Sequence, residues 1–191
     1  MNIALIDGHP DPDSARLCHG LAEAYAAGAA SAGHAVRRMA IADLDLPLLQ
    51  SAEEFETGAP PPAAVEAQQA IAWAGHLVLI YPLWLGTMPA ALKALLEQTL
   101  RPGFALDNSG RYPAGRLQGK SARIVVTMGM PALIYRWYFG AHSLKSLERH
   151  ILKFCGIKPV RETLFGSVGE ASPAKREKWL AEMRALGAKA R

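Results

Sequence analysis

Cysteine is scarce in this chain of 191 residues, which holds only Cys18 and Cys155. The two lie far apart with no CxxC, and both fall in apolar helical patterns. They read as buried free thiols of a protein kept in a reducing compartment, not as a disulfide framework. Long hydrophobic runs are also missing. None approaches the roughly 20 residues that span a bilayer, so no stable membrane insertion is expected. The first residues lack a basic segment and carry Asp7 early, unlike a secretory leader, and the expected location is cytoplasmic. Runs of one charge sign are absent too. Lys and Arg are scattered and the formal net charge is +4, without the one-sided clustering of a nucleic-acid footprint. There is no HExxH or Cys/His cluster, so no metal is expected, and no GxSxG, GxGxxG or GxxxxGK[ST]. With strong nucleophile motifs missing, the chemistry falls to a bound cofactor.

Half of the residues are hydrophobic and a fifth are charged, the balance of a globular chain. The length suits one domain, 1–191. Asn2 to Asp7 reads as a short apolar strand, followed by a turn and an Ala-rich helix from Arg16 to Ala32 that Gly33 ends. Residues 35–41 form a half-exposed strand. Residues 44–62 read as a long loop, with three prolines at 60–62 that exclude regular structure. A helix from Ala64 to Gly75 leads to the apolar run Leu77-Val78-Leu79-Ile80-Tyr81, a strand buried on both faces. Pro89 then opens a helix over 90–100, at its first position. After a second long loop, 101–118, come a strand at 122–127, a helix over 143–155, a strand at 160–165 and a last helix capped by Ser172 and opened by Pro173. Alternating strands and helices imply a parallel sheet with right-handed crossovers. The expectation is an α/β, flavodoxin-like fold: five parallel strands with helices on both faces.

Three loops leave the carboxyl ends of strands and share one sheet edge, where such folds bind ligands. Gly8 to Leu17 enters a helix N-terminus suited to a phosphate. There Ser14 can donate, and His9 or Arg16 can supply charge. Asp13 or Ser14 acting only as a helix cap is the equal alternative. Asp11 and Asp13 should then face solvent. In the second loop, backbone amides around Leu83 to Leu85 can reach the polar edge of a flat ring while Trp84 packs near its face; the plain alternative makes Trp84 ordinary core. In the third, Gly129 permits close backbone approach. Beyond it, Tyr135 and His142 can donate protons, or they are bystanders.

These segments resemble a known family. His9-Pro-Asp-Pro-Asp-Ser14, Tyr81-Pro-Leu-Trp-Leu-Gly-Thr-Met-Pro-Ala90 with Leu92-Lys93, and Thr127-Met-Gly-Met with Tyr135 are similar to the NAD(P)H:quinone oxidoreductases, the DT-diaphorase-like flavoproteins. The match runs in order to about Pro159. The resemblance implies a bound flavin, FMN by preference with FAD the alternative, which takes hydride from NAD(P)H and gives it to a quinone or similar acceptor by a ping-pong route. It implies that His9 and Ser14 belong to the flavin-phosphate loop, with Arg16 and Leu17 beside them as further candidate cofactor contacts. It places Pro82, Leu83, Trp84 and Leu85 along the ring and Thr127 and Gly129 at its polar edge, with Met128 and Met130 of the same loop as further candidate cofactor contacts. Tyr135 and His142 are then catalytic, with His142 one residue further from the tyrosine than in the family. Ala15, Arg16 and Met130 depart from the family pattern, and the long C-terminal extension of the animal enzymes is absent. The resemblance also implies a homodimer, for which the aromatic run Tyr135 to Phe139 offers an interface or, alternatively, packing over the site. A regulatory flavoprotein subunit of a potassium-efflux system is the alternative function. A one-electron carrier fits less well, since those are acidic.

Overall fold

The computed structural model describes residues 1–191. Five strands form a parallel sheet: β1 (Asn2–Asp7), β2 (Ala35–Ala40), β3 (His76–Pro82), β6 (Ser121–Thr127) and β7 (Val160–Phe165), in the order β2-β1-β3-β6-β7. All four pairings are parallel, so every strand ends at the same sheet edge. A separate two-stranded antiparallel ribbon, β4 (Leu106–Asp107) with β5 (Ala114–Gly115), folds the segment read from sequence as plain loop.

The period-2 alternation of strand side chains builds a core on each face. Leu77, Leu79 and Tyr81 of β3 join Ile124 and Val126 of β6 in one core. Helices α3 (Pro62–Trp73), α4 (Ala90–Thr99) and the short α5 (His142–Ser146) cover that face, supplying Ile71, Leu92, Leu95 and Leu144. Val78 and Ile80 point the other way, with Ile3, Leu5, Val125 and Phe165. There α1 (Leu17–Ser31) and α6 (Pro173–Ala188) complete the second core through Leu21, Tyr25 and Met183. Each such fully buried Leu, Ile or Val side chain contributes about 1.5–3 kcal/mol. Helices α1 and α6 touch backbone to backbone. A Cβ on Gly28 would lie 2.0 Å from the Arg184 carbonyl oxygen, and one on Gly187 the same distance from that of Tyr25.

Several expected boundaries move. The prolines do not exclude helix: Pro62 occupies the first position of α3, where a missing N–H is harmless. Pro89 is the residue before α4 rather than its first. A short helix, α2 (Ala52–Thr57), sits inside the 44–62 loop, with Ser51 Oγ accepting from Glu54 N at 3.0 Å. The region read as one helix over 143–155 begins as α5 and continues as π-helical turns over Leu147–Leu152. Ser172 and Pro173 cap and open α6 as expected. Both cysteines are free and buried. No helix is long and apolar enough to cross a membrane.

Candidate functional site

At the carboxyl edge of the sheet lies a cavity of about 380 Å³. Its floor is Pro82 and Leu83 from β3 and its exit, with Thr127 from β6; one wall is His9 and the entry of α1, Arg16 to Cys18. First-turn amides of a helix have no intrahelical partner, and the helix dipole makes that end positive, so this wall is built for an anion.

The loop after β1 is held by its own side chains. Gly8 is tucked against β3, donating its N–H to the Ile80 carbonyl, and a Cβ there would lie 2.8 Å from Leu92 Cδ2. Asp11 Oδ1 accepts from Asp13 N at 2.9 Å, and Asp13 Oδ1 accepts from Ala15 N at 3.0 Å. Arg16 Nε donates to Asp11 Oδ2 at 2.7 Å. The aspartates therefore do not merely face solvent. They shape the loop and partly neutralise Arg16, whose guanidinium is spent on Asp11 although the residue still lines the cavity. The bond from the Asp13 amide, aided by Arg16 and opposed by partial burial, leaves the Asp11 carboxyl below its ordinary range.

The loop after β3 makes a tight reversal. Trp84 and Thr87 exchange backbone hydrogen bonds at 2.8 and 3.0 Å around Leu85 and Gly86, with φ of 47° and 81°. Positive φ at both central residues is the type I′ hairpin turn. This corrects one expectation: the Leu83 and Trp84 amides are not free for a ring edge, because Leu83 N donates to the Thr127 carbonyl and Trp84 N to that of Thr87. Trp84 is 47% exposed, so it is not ordinary core. Its ring meets His9 edge-on at a centroid distance of 5.6 Å. Leu85 stands fully in solvent.

The loop after β6 supplies Met128 and Gly129 to the cavity. A Cβ on Gly129 would meet nothing within 4 Å, so its backbone opens directly onto the cavity. A fourth loop, after β7, was not anticipated. Ser167 N and Val168 N donate to the Met130 and Met128 carbonyls, and Val168, Gly169 and Arg176 close the far side. The signal was available: β7 ends at the same edge as the other three strands.

Of the residues singled out in sequence, His9, Arg16, Leu17, Pro82, Leu83, Trp84, Thr127, Met128 and Gly129 line this cavity. Ser14 is exposed on the loop outside its lining, and Met130 lies behind it. Leu85 borders a second cavity of about 550 Å³ across Trp84, with Lys93 and Ser143. Tyr135 is buried beneath that side; its hydroxyl shares a hydrogen bond of 2.8 Å with Ser143 Oγ and accepts from Leu144 N. His142 is exposed at the start of α5 and lines neither cavity. Tyr135 sits within a π-helical turn over Ile134–Tyr138, and His142 follows it at the first position of α5. Cys18 borders the cavity, but burial pushes its thiol up to about 12, so it supplies no thiolate.

A family model described as flavodoxin-like fold matches residues 1–186. The chain belongs to the flavodoxin-like fold family. Among curated proteins, this family member is 28% identical over 133 residues to NAD(P)H dehydrogenase [quinone] 1 of Rattus norvegicus, a match covering 67% of the chain and 48% of the rat protein. The matches span about half the length of such curated relatives. Among solved structures, Smu.1420 from Streptococcus mutans UA159 superposes with a TM-score of 0.84 at 25% identity, over 99% of this flavodoxin-like chain and 100% of that one. An FMN-dependent NADH-azoreductase from Bacillus anthracis str. Ames Ancestor, solved in complex with FMN, gives 0.76 at 14% identity over 98% of each chain.

Proposed function

We propose that the chain is a flavin-dependent NAD(P)H oxidoreductase that reduces quinones or related electrophilic acceptors by ping-pong hydride transfer, as one domain over 1–191 with FMN as its flavin. The carrying observation is the cavity itself. It joins the amino end of α1 to a half-exposed tryptophan and to a glycine whose missing side chain leaves the cavity open. The bound flavin would supply the two-electron chemistry, taking hydride from NAD(P)H and yielding it to the acceptor with a proton from water. The α1 amides hold the phosphate. Pro82, Leu83 and Trp84 confine the ring, and Thr127 to Gly129 face its polar edge. Acceptor and NAD(P)H take turns in the apolar space across Trp84, near Lys93 and Ser143. Tyr135 acts there through Ser143, fixing its hydroxyl, while His142 stands outside both cavities. The curated relative's name, a quinone-reducing NAD(P)H dehydrogenase, supports the substrate class.

We also propose a cytoplasmic homodimer. Leu133, Ile134, Trp137, Tyr138 and Phe139 form an exposed apolar run, with Trp137 at 79% and Tyr138 at 82%. Patches of this kind mark association sites. Tyr135 itself is not part of it, being buried. No observation favours the potassium-efflux subunit. The direct test is the visible spectrum of the purified protein, followed by initial rates with NADPH and a soluble quinone. Bound flavin and parallel double-reciprocal lines are expected. A colourless protein that gains no flavin bands with FMN or FAD would refute the reading.

A further inference from the structure

Beneath the loop Gly8–Arg16 lies a charge network centred on one buried carboxylate. Asp7, at the end of β1, is fully buried. Its Oδ2 accepts from His19 Nδ1 at 2.7 Å and from Arg38 Nη2 at 2.9 Å, while Oδ1 lies 3.4 Å from the His9 amide. His19, on the first turn of α1, reaches the other way through Nε2 to the Asp11 carbonyl oxygen at 2.8 Å. A carboxylate oxygen and a carbonyl oxygen only accept, so both ring nitrogens must donate, and only an imidazolium carries two N–H groups. His9 is in the opposite state. Its Nδ1 accepts from Asp11 N at 3.1 Å, so its ring is neutral 5.5 Å from that of His19. Burial, then the charge on His19, lowers the His9 pKa. For His19, burial opposes the charge, but the bonds to Asp7 and Asp11 outweigh it and raise its pKa.

Asp11 is the peptide on which the loop hangs. Its carbonyl meets His19, its amide meets His9, and its carboxylate holds Arg16 at the start of α1. The charged groups around His19 are Asp7 from β1, Arg38 from β2, and Asp11, Asp13 and Arg16 from the loop, with Glu23 of α1 beyond Arg38. We propose that His19 is a positioning residue for the flavin phosphate: its imidazolium, clamped between Asp7 and the Asp11 carbonyl, holds loop Gly8–Arg16 against the first turn of α1, so that grip on the phosphate slackens as that proton is lost. Losing the proton turns one of the two clamps into a contact between two acceptors. It also removes a buried positive charge from beneath an anion site. This role rests on the flavin reading of the cavity.

The test is FMN affinity of the apoprotein from pH 6.5 to 9, read by FMN fluorescence quenching, for the wild type, His19→Gln and Asp7→Asn, with an NMR titration of the His19 ring. FMN's own phosphate gains charge with pH across its second pKa of about 6 and would favour binding at higher pH. The wild type should instead weaken about tenfold, the scale of one charge-assisted hydrogen bond. His19→Gln, which keeps a donor for Asp11 but no titrating proton, should bind about tenfold more weakly at pH 6.5 by the same loss and show no weakening with pH. Asp7→Asn should move the His19 midpoint and the affinity profile to lower pH together, which a merely structural role would not do. Wild-type affinity that is flat or tightens with pH, or a His19 midpoint at or below the ordinary 6.5, would overturn the proposal alone. No FMN binding at any pH would overturn the flavin reading and the proposal with it. If His19→Gln fails to fold, the wild-type profile and ring titration decide.

Discussion

Placing a side chain on Gly129 should separate folding from ligand binding. The residue is exposed at the turn after β6, its φ is not positive, and a Cβ would meet nothing within 4 Å. In the apoprotein Gly129→Ala therefore has room and a compatible backbone. Such a replacement stabilises by about 0.4–1 kcal/mol, because the unfolded chain loses freedom. In a chain of this length that is a rise in Tm of roughly 1–4 °C. In the proposed function the same open space receives the flavin's polar edge. Forcing extra methyls into a filled site costs about 1–3 kcal/mol, or roughly five- to 150-fold in Kd, and Gly129→Val should sit toward the upper end. The two effects have opposite signs. Thermal unfolding of the apoprotein reads one and FMN fluorescence titration the other. If Gly129→Val binds FMN as tightly as the wild type, the loop after β6 does not face the flavin. An apoprotein destabilised by more than about 1 kcal/mol would instead show a packed position, since freely exposed substitutions stay within about ±0.5 kcal/mol.

Other expectations follow from features away from Gly129. Gly28→Ala should destabilise by about 1–3 kcal/mol or more, because its methyl would collide with the Arg184 carbonyl of α6; urea unfolding measures this, and an unchanged midpoint would mean the helices part freely. Burial, with Arg123 and Arg161 nearby, pushes the His76 pKa from 6.5 down to about 4. The unfolded chain then takes up that proton first, so stability is full above pH 6.5 and falls as pH drops toward 4. The gap is worth about 3 kcal/mol at 1.36 kcal/mol per pH unit. His76→Gln should flatten that part of the stability–pH curve, and parallel wild-type and variant curves would refute it. Trp84→Ala should leave the fold intact and weaken FMN binding about three- to tenfold, the loss of one aromatic contact; an unchanged spectrum and affinity would place Trp84 away from the ring.

The sheet was legible because its code is local. The unbroken apolar run of β3 and the exact span Val160 to Phe165 of β7 follow from strand patterning with turn residues on both sides. The site was legible where it followed from topology, since parallel strands bring their terminal loops together whatever lies between them. The fourth loop obeys the same rule, but its cavity-facing start, Gly166 to Gly169, carries neither a ring nor a charge to mark it. Helix α2 had its signal, Ser51 three residues before Glu54, hidden by the prolines that followed. What could not be read was pairwise and distant. That Leu83 N is consumed by Thr127, or that Asp7 gathers His19 and Arg38, depends on strand register and helix rotation fixed by the packed core. The π-turns between Tyr135 and Leu152 answer to no sequence period at all.

The clasp between α1 and α6 sets the order in which the molecule can mature on the ribosome. Residues of α1 leave the exit tunnel early, yet Tyr25 and Leu21 need Met183 to finish their core. At 5–20 residues per second, the covering helix arrives on the order of ten seconds later. Through that interval the nascent chain carries an uncovered apolar helix face and the half-built sheet beneath it. Slow translation or chaperone capture in that window, more than intrinsic stability, should govern the yield of active protein, and truncation before Pro173 should give a product that aggregates as it is made.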